Sequence, residues 1–247
     1  MAEMTSPERL PHAALELSSR RLKALKIERL LNLAALPQPI RLLEIGCGAG
    51  GIAHYFATHP ELTCHVTAVD MHDNRQVREG YDYHQVHGVE LPFNDQQFDV
   101  VITNHVIEHV GDAQAQIRHL TEIRRVLKVS GVGYVAVPNR WMLTEPHYQL
   151  KFLSWLPRGW RSSYLRWMGK GEFYDCEPLE MGELEGMLAM AGLAYRNLCV
   201  EGWKTTFDIE RAGQISTRVL TASPNGLLHP LRPLIPTLIY RVERTTS

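Results

Sequence analysis

Residues 42–50 read LLEIGCGAG, an apolar run that passes directly into a turn rich in glycine. The apolar run predicts a buried strand, and glycines directly after a strand permit close approaches that a Cβ atom would block. Such a turn can lead into a helix whose first N–H groups face a ligand. This stretch therefore predicts a nucleotide-type cofactor site at the end of the strand.

The glycines alone leave the identity of the cofactor open. Gly46, Gly48 and Gly50 suit an adenosine cofactor in general, whereas Gly46, Gly48 and Gly51 also satisfy the G-x-G-x-x-G fingerprint of dinucleotide sites. The choice between these cofactors depends on motifs further along the chain.

Composition limits the classes of partner. The 247 residues suffice for one large α/β domain, and 26 basic against 27 acidic residues give no overall field that would recruit nucleic acid. The four cysteines are scattered, and neither a signal peptide nor an apolar run of about 18 residues is evident. We therefore expect a cytoplasmic protein without disulfides or structural zinc.

Strand and helix patterns alternate along the chain and predict a parallel sheet, in which ligands lie beyond the carboxyl ends of the strands. Gly131 and Gly192 are expected to end the helices before them. The predicted strands are 40–45, 64–70, 98–103, 132–137, 195–200 and 238–242, and the predicted helices are 9–36, 52–58, 113–128 and one after residue 179. For residues 223–236, which are rich in Pro and Leu, we predict no helix or strand.

Six motifs in order carry a family resemblance: LEIGCGAG at 43–50, VD at 69–70, LPF at 91–93, FDVV at 98–101, VIEHV at 106–110 and LK at 127–128. Their order and spacing resemble class I S-adenosylmethionine-dependent methyltransferases, of the Methyltransf_11-type branch similar to quinone-biosynthesis enzymes. A nicotinamide-dependent dehydrogenase is not expected to carry the LPF and FDVV segments. The resemblance implies an α/β, Rossmann-like, doubly wound and mostly parallel sheet.

The resemblance also implies which residues hold S-adenosylmethionine. Backbone of the glycine turn would approach the methionine part of the cofactor, Glu44 would attract its ammonium group, and Asp70 would accept the ribose hydroxyls. A helix N-cap is the alternative role for Asp70. The expected cofactor residues are Glu44, Gly46, Cys47, Gly48, Gly50, Asp70, Met71, His87, Val89, Asn104 and His105.

The sequence departs from the family pattern at two places. His87 stands where the family usually has an acidic residue that binds the adenine amino group, so we expect backbone near Val89 to make that contact instead. Residues 128–131 read KVSG where the family usually has Lys-Pro-Gly-Gly, and this change carries no functional interpretation.

Two histidines are candidates for catalysis. Methyl transfer is an in-line displacement that depends mainly on positioning, and a base is needed only where the acceptor loses a proton. Histidine titrates near neutral pH, so His105 is the first candidate and His109 the second, with packing under the cofactor loop as the alternative role of His109.

The same histidines lie in an H-x-x-E-H pattern. On one helical turn, His105, Glu108 and His109 would share a face and have the spacing of a metal site. Some quinone O-methyltransferases resemble this with a Glu-x-x-Glu-His metal motif. No fourth ligand is evident, so we expect no metal and keep a divalent cation as the alternative.

An aromatic-rich insertion interrupts the alternation after the fifth strand. Nine of the twenty aromatic residues lie between Trp141 and Asp175, and we expect them to form a lid over an apolar or aromatic acceptor. The alternatives are a satellite core, a homodimer surface or a peripheral membrane contact. The polar residues that could face the acceptor are Glu145, His147, Tyr174 and Asp175.

We therefore expect one methyltransferase domain over 1–247, made of an N-terminal helical segment (1–39), a cofactor-binding core (40–140), the insertion (141–178) and a C-terminal part (179–247). The N-terminal helix would fold over the cofactor or complete the helical layer. The reaction would be methylation, chiefly on oxygen, of a small organic or lipid-linked acceptor. The alternatives are a non-methylating partner subunit or diverted fold, and an RNA or protein methyltransferase.

Overall fold

The computed structural model describes residues 17–145, 148–174 and 176–245. Within these residues a seven-stranded sheet has the order β3-β2-β1-β4-β5-β9-β8. The strands are β1 Ile40–Ile45, β2 Cys64–Asp70, β3 Asp82–Gln85, β4 Phe98–Asn104, β5 Leu127–Pro138, β6 Thr144–Glu145, β7 Leu150–Lys151, β8 Leu193–Asn197 and β9 Thr237–Arg244, of which β6 and β7 form a separate pair.

The described ranges contain eight α-helices. They are α1 Leu17–Leu31, α2 Gly51–Ala57, α3 Ala113–Val126, α4 Arg158–Trp167, α5 Met181–Met190, α6 Cys199–Glu210, α7 Ile215–Ala222 and α8 Asn225–Leu228. Short 3₁₀ turns lie at Leu33–Ala35, Ile107–His109, Leu153–Trp155 and His229–Leu234. In this part of the chain no helix is both long and apolar enough to span a lipid bilayer.

The sheet is mostly parallel and has helices on both faces, as the resemblance implies. β1 pairs in parallel with β2 and β4, and only β9 runs antiparallel to its neighbours β5 and β8. One core cluster packs α3 and α5 against the sheet, and the other packs α1 and α2 against the opposite face. The carboxyl ends of β1, β2, β4 and β5 consequently lie along one side of the sheet, here called the carboxyl edge.

The structure corrects several predicted elements. Residues 198–200 do not extend a strand over 195–200, because β8 ends at Asn197 and Cys199 begins α6. Gly131 is not a helix cap: α3 ends at Val126, and Gly131 lies within β5 against Leu127 and the Asp99 carbonyl. Gly192 does follow α5 with a left-handed φ of 70°, as predicted.

The helix predicted over 9–36 ends earlier in the structure than predicted. Among the described residues, α1 ends at Leu31, and a 3₁₀ turn over Leu33–Ala35 follows Asn32, which has a left-handed φ of 53°. The beginning of that prediction lies outside the described residues, as do His147 and Asp175 of the insertion.

Residues between β5 and α5 form a small unit with its own core. The core consists of Leu150, Leu153, Leu165, Tyr174 and Cys176. The unit is tied to the sheet at both ends, because Asn139 forms a β-bridge with Leu179, and the Glu177 N–H donates to the Glu108 carbonyl.

Candidate functional site

The glycine turn after β1 has a backbone that only glycine adopts easily. Gly46, Gly48 and Gly50 have φ values of 74°, 53° and 81°. A Cβ atom at Gly46 would lie 2.3 Å from the Val106 side chain, and one at Gly50 would lie 2.2 Å from the Tyr81 hydroxyl. The turn is therefore fixed between two other segments, and Gly46 and Gly48 remain half-buried rather than fully covered.

The turn is also tied to the neighbouring strand β2. The N–H groups of Gly46 and Cys47 both donate to the Val69 carbonyl, and the Cys47 side chain is buried in the core below. Asp70, the last residue of β2, accepts hydrogen bonds from the N–H groups of Gly48 at 2.8 Å and His72 at 3.3 Å. No helix begins within residues 71–81, so the N-cap alternative for Asp70 is wrong.

Glu44 is a buried acid beneath the turn. Its side chain is 2% exposed, and its Oε2 atom has no hydrogen-bond partner among the described residues. Burial raises the pKa of Glu44 to about 8, although the Arg20 guanidinium acts in the opposite direction. A buried carboxyl group with an unused oxygen is suited to a cationic ligand.

Arg20 is a functional candidate that the sequence analysis missed. It lies on α1 and packs against the start of α2, since a Cβ atom at Gly51 would lie 2.7 Å from Arg20 Cβ. Burial lowers the pKa of Arg20, nearby Glu44 raises it, and Nε has no hydrogen-bond partner among the described residues. The helical pattern could have indicated Arg20, because it precedes the buried Ala24 by one helical turn and so lies on the buried face of α1.

Asn104 and His105 follow the adjacent strand β4. The Nδ2 atom of Asn104 is buried and has no hydrogen-bond partner in the described structure. His105 has a left-handed φ of 59°, and its N–H donates to the Ala136 carbonyl at 2.8 Å. A non-glycine residue in this conformation stores strain, which commonly occurs at functional sites.

A buried acid lies beside His105. The Oε1 atom of Glu108 is 3.5 Å from His105 Nδ1, and neither carboxylate oxygen has a hydrogen-bond partner among the described residues. His119 on α3 is also buried, and burial lowers its pKa to about 4, an effect that nearby Glu108 opposes. The Thr103 hydroxyl lies 3.2 Å from Nε2 of His119. Thr103 and the neutral His119 therefore form a buried polar pair close to Glu108.

The H-x-x-E-H pattern does not form a shared face. Glu108 is buried, whereas its neighbour His109 is exposed and has its Nδ1 atom 3.8 Å from Cys176 Sγ of the insertion. Ile107–His109 is a 3₁₀ turn rather than part of an α-helix, which explains the difference. Within the described ranges, no three His, Cys, Asp or Glu side chains are arranged to hold a metal ion.

The remaining candidates lie beside the unpredicted strand β3. β3 pairs with β2 so that Asp70 is opposite Gln85, and the Gln85 side chain donates to the Met71 carbonyl at 2.9 Å. His87 and Val89 follow this strand, His87 exposed and Val89 half-buried. β3 therefore brings these two residues to the carboxyl edge next to Asp70 and Met71.

Comparisons with known proteins find similarity to methyltransferases. Residues 43–135 match the family described as "Methyltransferase domain". The chain is 28% identical over 189 residues to the ubiquinone biosynthesis O-methyltransferase of Rickettsia prowazekii, covering 69% of this chain and 68% of that protein. It is 29% identical over 207 residues to the enzyme of the same name from Chelativorans sp., covering 78% and 76%.

Solved structures share the fold at low sequence identity. Geranyl diphosphate C-methyltransferase from Streptomyces coelicolor, solved with S-adenosyl-L-homocysteine, gives a TM-score of 0.52 at 15% identity over 93% of this chain and 82% of that one. The [4+2]-cyclase SpnF gives 0.54 at 17% identity over 97% and 86%. The family match includes the glycine turn, Asp70 and β4. Residues 43–135 therefore form a methyltransferase domain with S-adenosylmethionine as its methyl donor, and the chain as a whole resembles the class I S-adenosylmethionine-dependent methyltransferases.

Proposed function

We propose that this enzyme methylates an oxygen atom of a small organic or lipid-linked acceptor that binds at the carboxyl edge beneath the insertion. The observation that carries the proposal is the position of His105, strained at the end of β4 and adjacent to a buried carboxyl group. The names of the relatives, ubiquinone biosynthesis O-methyltransferases, support oxygen as the methylated atom.

The charged groups around the glycine turn match the two charges of an amino-acid moiety. We assign the cofactor's ammonium group to Glu44 and its carboxylate to Arg20, because these groups lie together beneath and beside the turn. Asp70 is assigned to the ribose hydroxyls. The other assigned residues are Gly46, Cys47, Gly48 and Gly50 of the turn, Met71, His87 and Val89 at the adenine, and Asn104 and His105 near the sulfonium.

The bound cofactor supplies an electrophilic methyl group on sulfur, and the protein's own contribution is to position and deprotonate the acceptor. His105 would accept the proton of the acceptor hydroxyl. Glu108 would stabilise the imidazolium ion that forms, because its carboxyl group lies 3.5 Å from the ring. His109 is the second candidate base, placed where the 3₁₀ turn meets the insertion.

The insertion is proposed to cover an apolar or aromatic acceptor. Trp141 and Trp155 pack edge to face with ring centroids 5.5 Å apart, and Tyr148 and Tyr174 pack at 5.7 Å. Burial and nearby Glu145 raise the pKa of Tyr174, so its phenol stays protonated. The unit contacts the loop through Cys176, which is 3.8 Å from His109, and through the Glu177 N–H, which donates to the Glu108 carbonyl. These contacts support the proposal that its aromatic rings border the acceptor.

The outer side of the insertion carries exposed aromatic residues together with basic ones. Trp160 and Trp167 are strongly exposed on α4, which also carries Arg158 and Arg166. We propose first that this surface makes a peripheral contact with a membrane, and second that it contacts another copy of the chain in a homodimer.

Turnover of His105→Ala tests the proposed base. The variant is expected to bind S-adenosylhomocysteine, which lacks the sulfonium that His105 borders, nearly as tightly as the original chain. It is expected to methylate a phenol at least about 100-fold more slowly, the usual contribution of a general base. His65→Ala, an exposed histidine on β2, is the matched control. Equal phenol turnover in His105→Ala, or methylation of amines but not of phenols by the original chain, would contradict the proposal.

A further inference from the structure

A second exposed apolar surface lies outside the insertion, between α6 and β9. Helices α7 and α8 and the 3₁₀ turn over His229–Leu234 together carry five exposed aliphatic side chains, which are called here the C-terminal apolar surface. Its members and their exposed fractions are Ile215 80%, Val219 64%, Leu227 73%, Leu231 40% and Leu234 61%. Five exposed branched aliphatic residues in a stretch this short are unusual for a surface that meets only water.

Local geometry places these side chains in pairs. Ile215 and Val219 are four residues apart on α7, and Leu231 and Leu234 are three residues apart on a 3₁₀ turn, so each pair shares a face. The elements are held from below by α6, where the Lys204 ammonium group donates to the Ser223 carbonyl and to Asn225 Oδ1. The aliphatic groups therefore project from an anchored layer.

The charge of this region is one-sided. Residues 211–236 contain three arginines, Arg211, Arg218 and Arg232, and neither Asp nor Glu. The whole chain has a net charge of −1. The residues outside 211–236 therefore carry a more negative net charge than the whole chain does. Glu201 of α6 accepts a hydrogen bond from Asn225, so basic groups exceed acidic ones here without being alone. Apolar side chains together with an excess of basic groups are typical of protein surfaces that enter the headgroup region of anionic membranes.

A second copy of the chain fits this surface less well. A two-fold symmetric dimer brings the same patch of each protomer together, which would place two sets of arginines opposite each other. An anionic lipid surface offers negatively charged headgroups to the arginines and an apolar interior to the aliphatic side chains.

The surface borders the proposed acceptor site. Asn139 follows β5 at the carboxyl edge, and its side-chain amide donates to the carbonyls of Pro233 at 2.7 Å and Ile235 at 2.8 Å. The Trp141 N–H, at the start of the insertion, donates to the Asn139 side-chain oxygen. A membrane that touched Leu231 and Leu234 would consequently lie next to the base of the insertion.

We propose that the C-terminal apolar surface docks on an anionic lipid bilayer and so places the carboxyl edge where an acceptor dissolved in that bilayer can enter. The second half of this proposal rests on the proposed function, whereas the docking itself does not. It is distinct from a contact through the insertion, since it uses other residues.

Vesicle co-sedimentation of the full chain tests the docking. We expect binding to vesicles of phosphatidylcholine with phosphatidylglycerol, weaker binding to phosphatidylcholine alone, and a decrease between about 0.1 M and about 0.5 M NaCl as the arginines are screened. The double variant Leu227→Glu/Leu234→Glu is expected to lower the partition coefficient at least about ten-fold. Val129→Glu/Met190→Glu makes two apolar-to-acidic changes at residues of β5 and α5 that are 59% and 66% exposed. This variant is the matched control and is expected to bind as the original chain does.

Three results would overturn the docking proposal. They are no binding to the anionic vesicles, equal binding by the double variant, and loss of binding only in Trp160→Glu/Trp167→Glu. A dimer in sedimentation velocity that the double variant dissociates would instead assign the surface to a second copy and overturn it as well.

Cofactor affinity and turnover separate this proposal from the proposed function. The double variant is expected to retain its affinity for S-adenosylhomocysteine and its turnover of a water-soluble phenol, which also shows that it is folded. Vesicle binding without any phenol turnover by the original chain would contradict the proposed function and leave the docking standing.

Discussion

At the scale of single residues, Asp70 has two tasks that one substitution removes together. Its carboxylate accepts the Gly48 N–H, which orders the glycine turn, and it is assigned to the ribose hydroxyls. We expect Asp70→Ala to weaken S-adenosylhomocysteine binding by about 1–3 kcal/mol, the usual cost of losing a charged hydrogen-bond partner. Calorimetric titration measures this, with Asp82→Ala, an exposed carboxylate at the start of β3, as the control. Unchanged affinity in folded Asp70→Ala would remove the ribose assignment.

Glu44 makes cofactor binding dependent on pH. Burial raises its pKa to about 8, so between pH 6 and pH 7.5 most of the free protein carries the protonated acid. A bound ammonium group favours the carboxylate and lowers this pKa, so binding must release protons, and affinity must rise with pH over this window. Titrations in buffers of different ionisation enthalpy measure the release. Glu44→Gln should abolish it, and a release that persists in this variant would assign the proton to another group.

The functional residues that could be predicted from the sequence are those that lie next to a recognisable motif in the chain. The glycine turn, Asp70 and His105 follow directly from the ends of apolar strands, and the structure places all of them at the carboxyl edge. Arg20 and His119 were missed because their roles depend on burial against distant segments, on Glu44 for one and on Thr103 and Glu108 for the other. The single face expected for the H-x-x-E-H residues was wrong because the backbone forms a 3₁₀ turn after a left-handed His105.

At the scale of elements, the central strands were predictable and the periphery was not. β1 and β4 are buried along most of their length and read as apolar runs. β2 is buried at Val66, Ala68 and Val69, which are enough to indicate a strand before Asp70. β3 has no buried residue, and β8 is an edge strand with mostly exposed side chains, so neither has a strong pattern. Cys199 and Val200 were assigned to a strand because they are apolar, although their burial comes from the first turn of α6.

The insertion provides a test of its own at this scale. Leu165 is fully buried in the core of the insertion, and Leu165→Ala is expected to destabilise that unit by about 2–5 kcal/mol. If the unit covers the acceptor, the KM for the acceptor should rise several-fold while the affinity for S-adenosylhomocysteine stays the same. Leu143→Ala makes the same chemical change at an exposed position of the insertion and is the control. An unaltered KM in Leu165→Ala would exclude the insertion as the acceptor cover.

At the scale of the whole molecule, the groups with candidate functions converge on one edge of the sheet. The glycine turn, Asp70, His105, the insertion and the end of the C-terminal apolar surface all lie beside the carboxyl ends of the parallel strands. This follows from parallel topology, which brings loops distant in sequence to the same side. The near-zero net charge hides a separate basic region at residues 211–236, which a composition count cannot detect.

The most direct test of the central claim is a calorimetric titration of the purified chain with S-adenosylmethionine, S-adenosylhomocysteine and NADH. Our account predicts that both sulfur compounds bind with one site per chain and a Kd of about 1–100 μM, equivalent to roughly 5–8 kcal/mol, and that NADH does not bind. Binding of NADH alone, or of none of the three, would contradict the assignment of the glycine turn and Asp70 to S-adenosylmethionine.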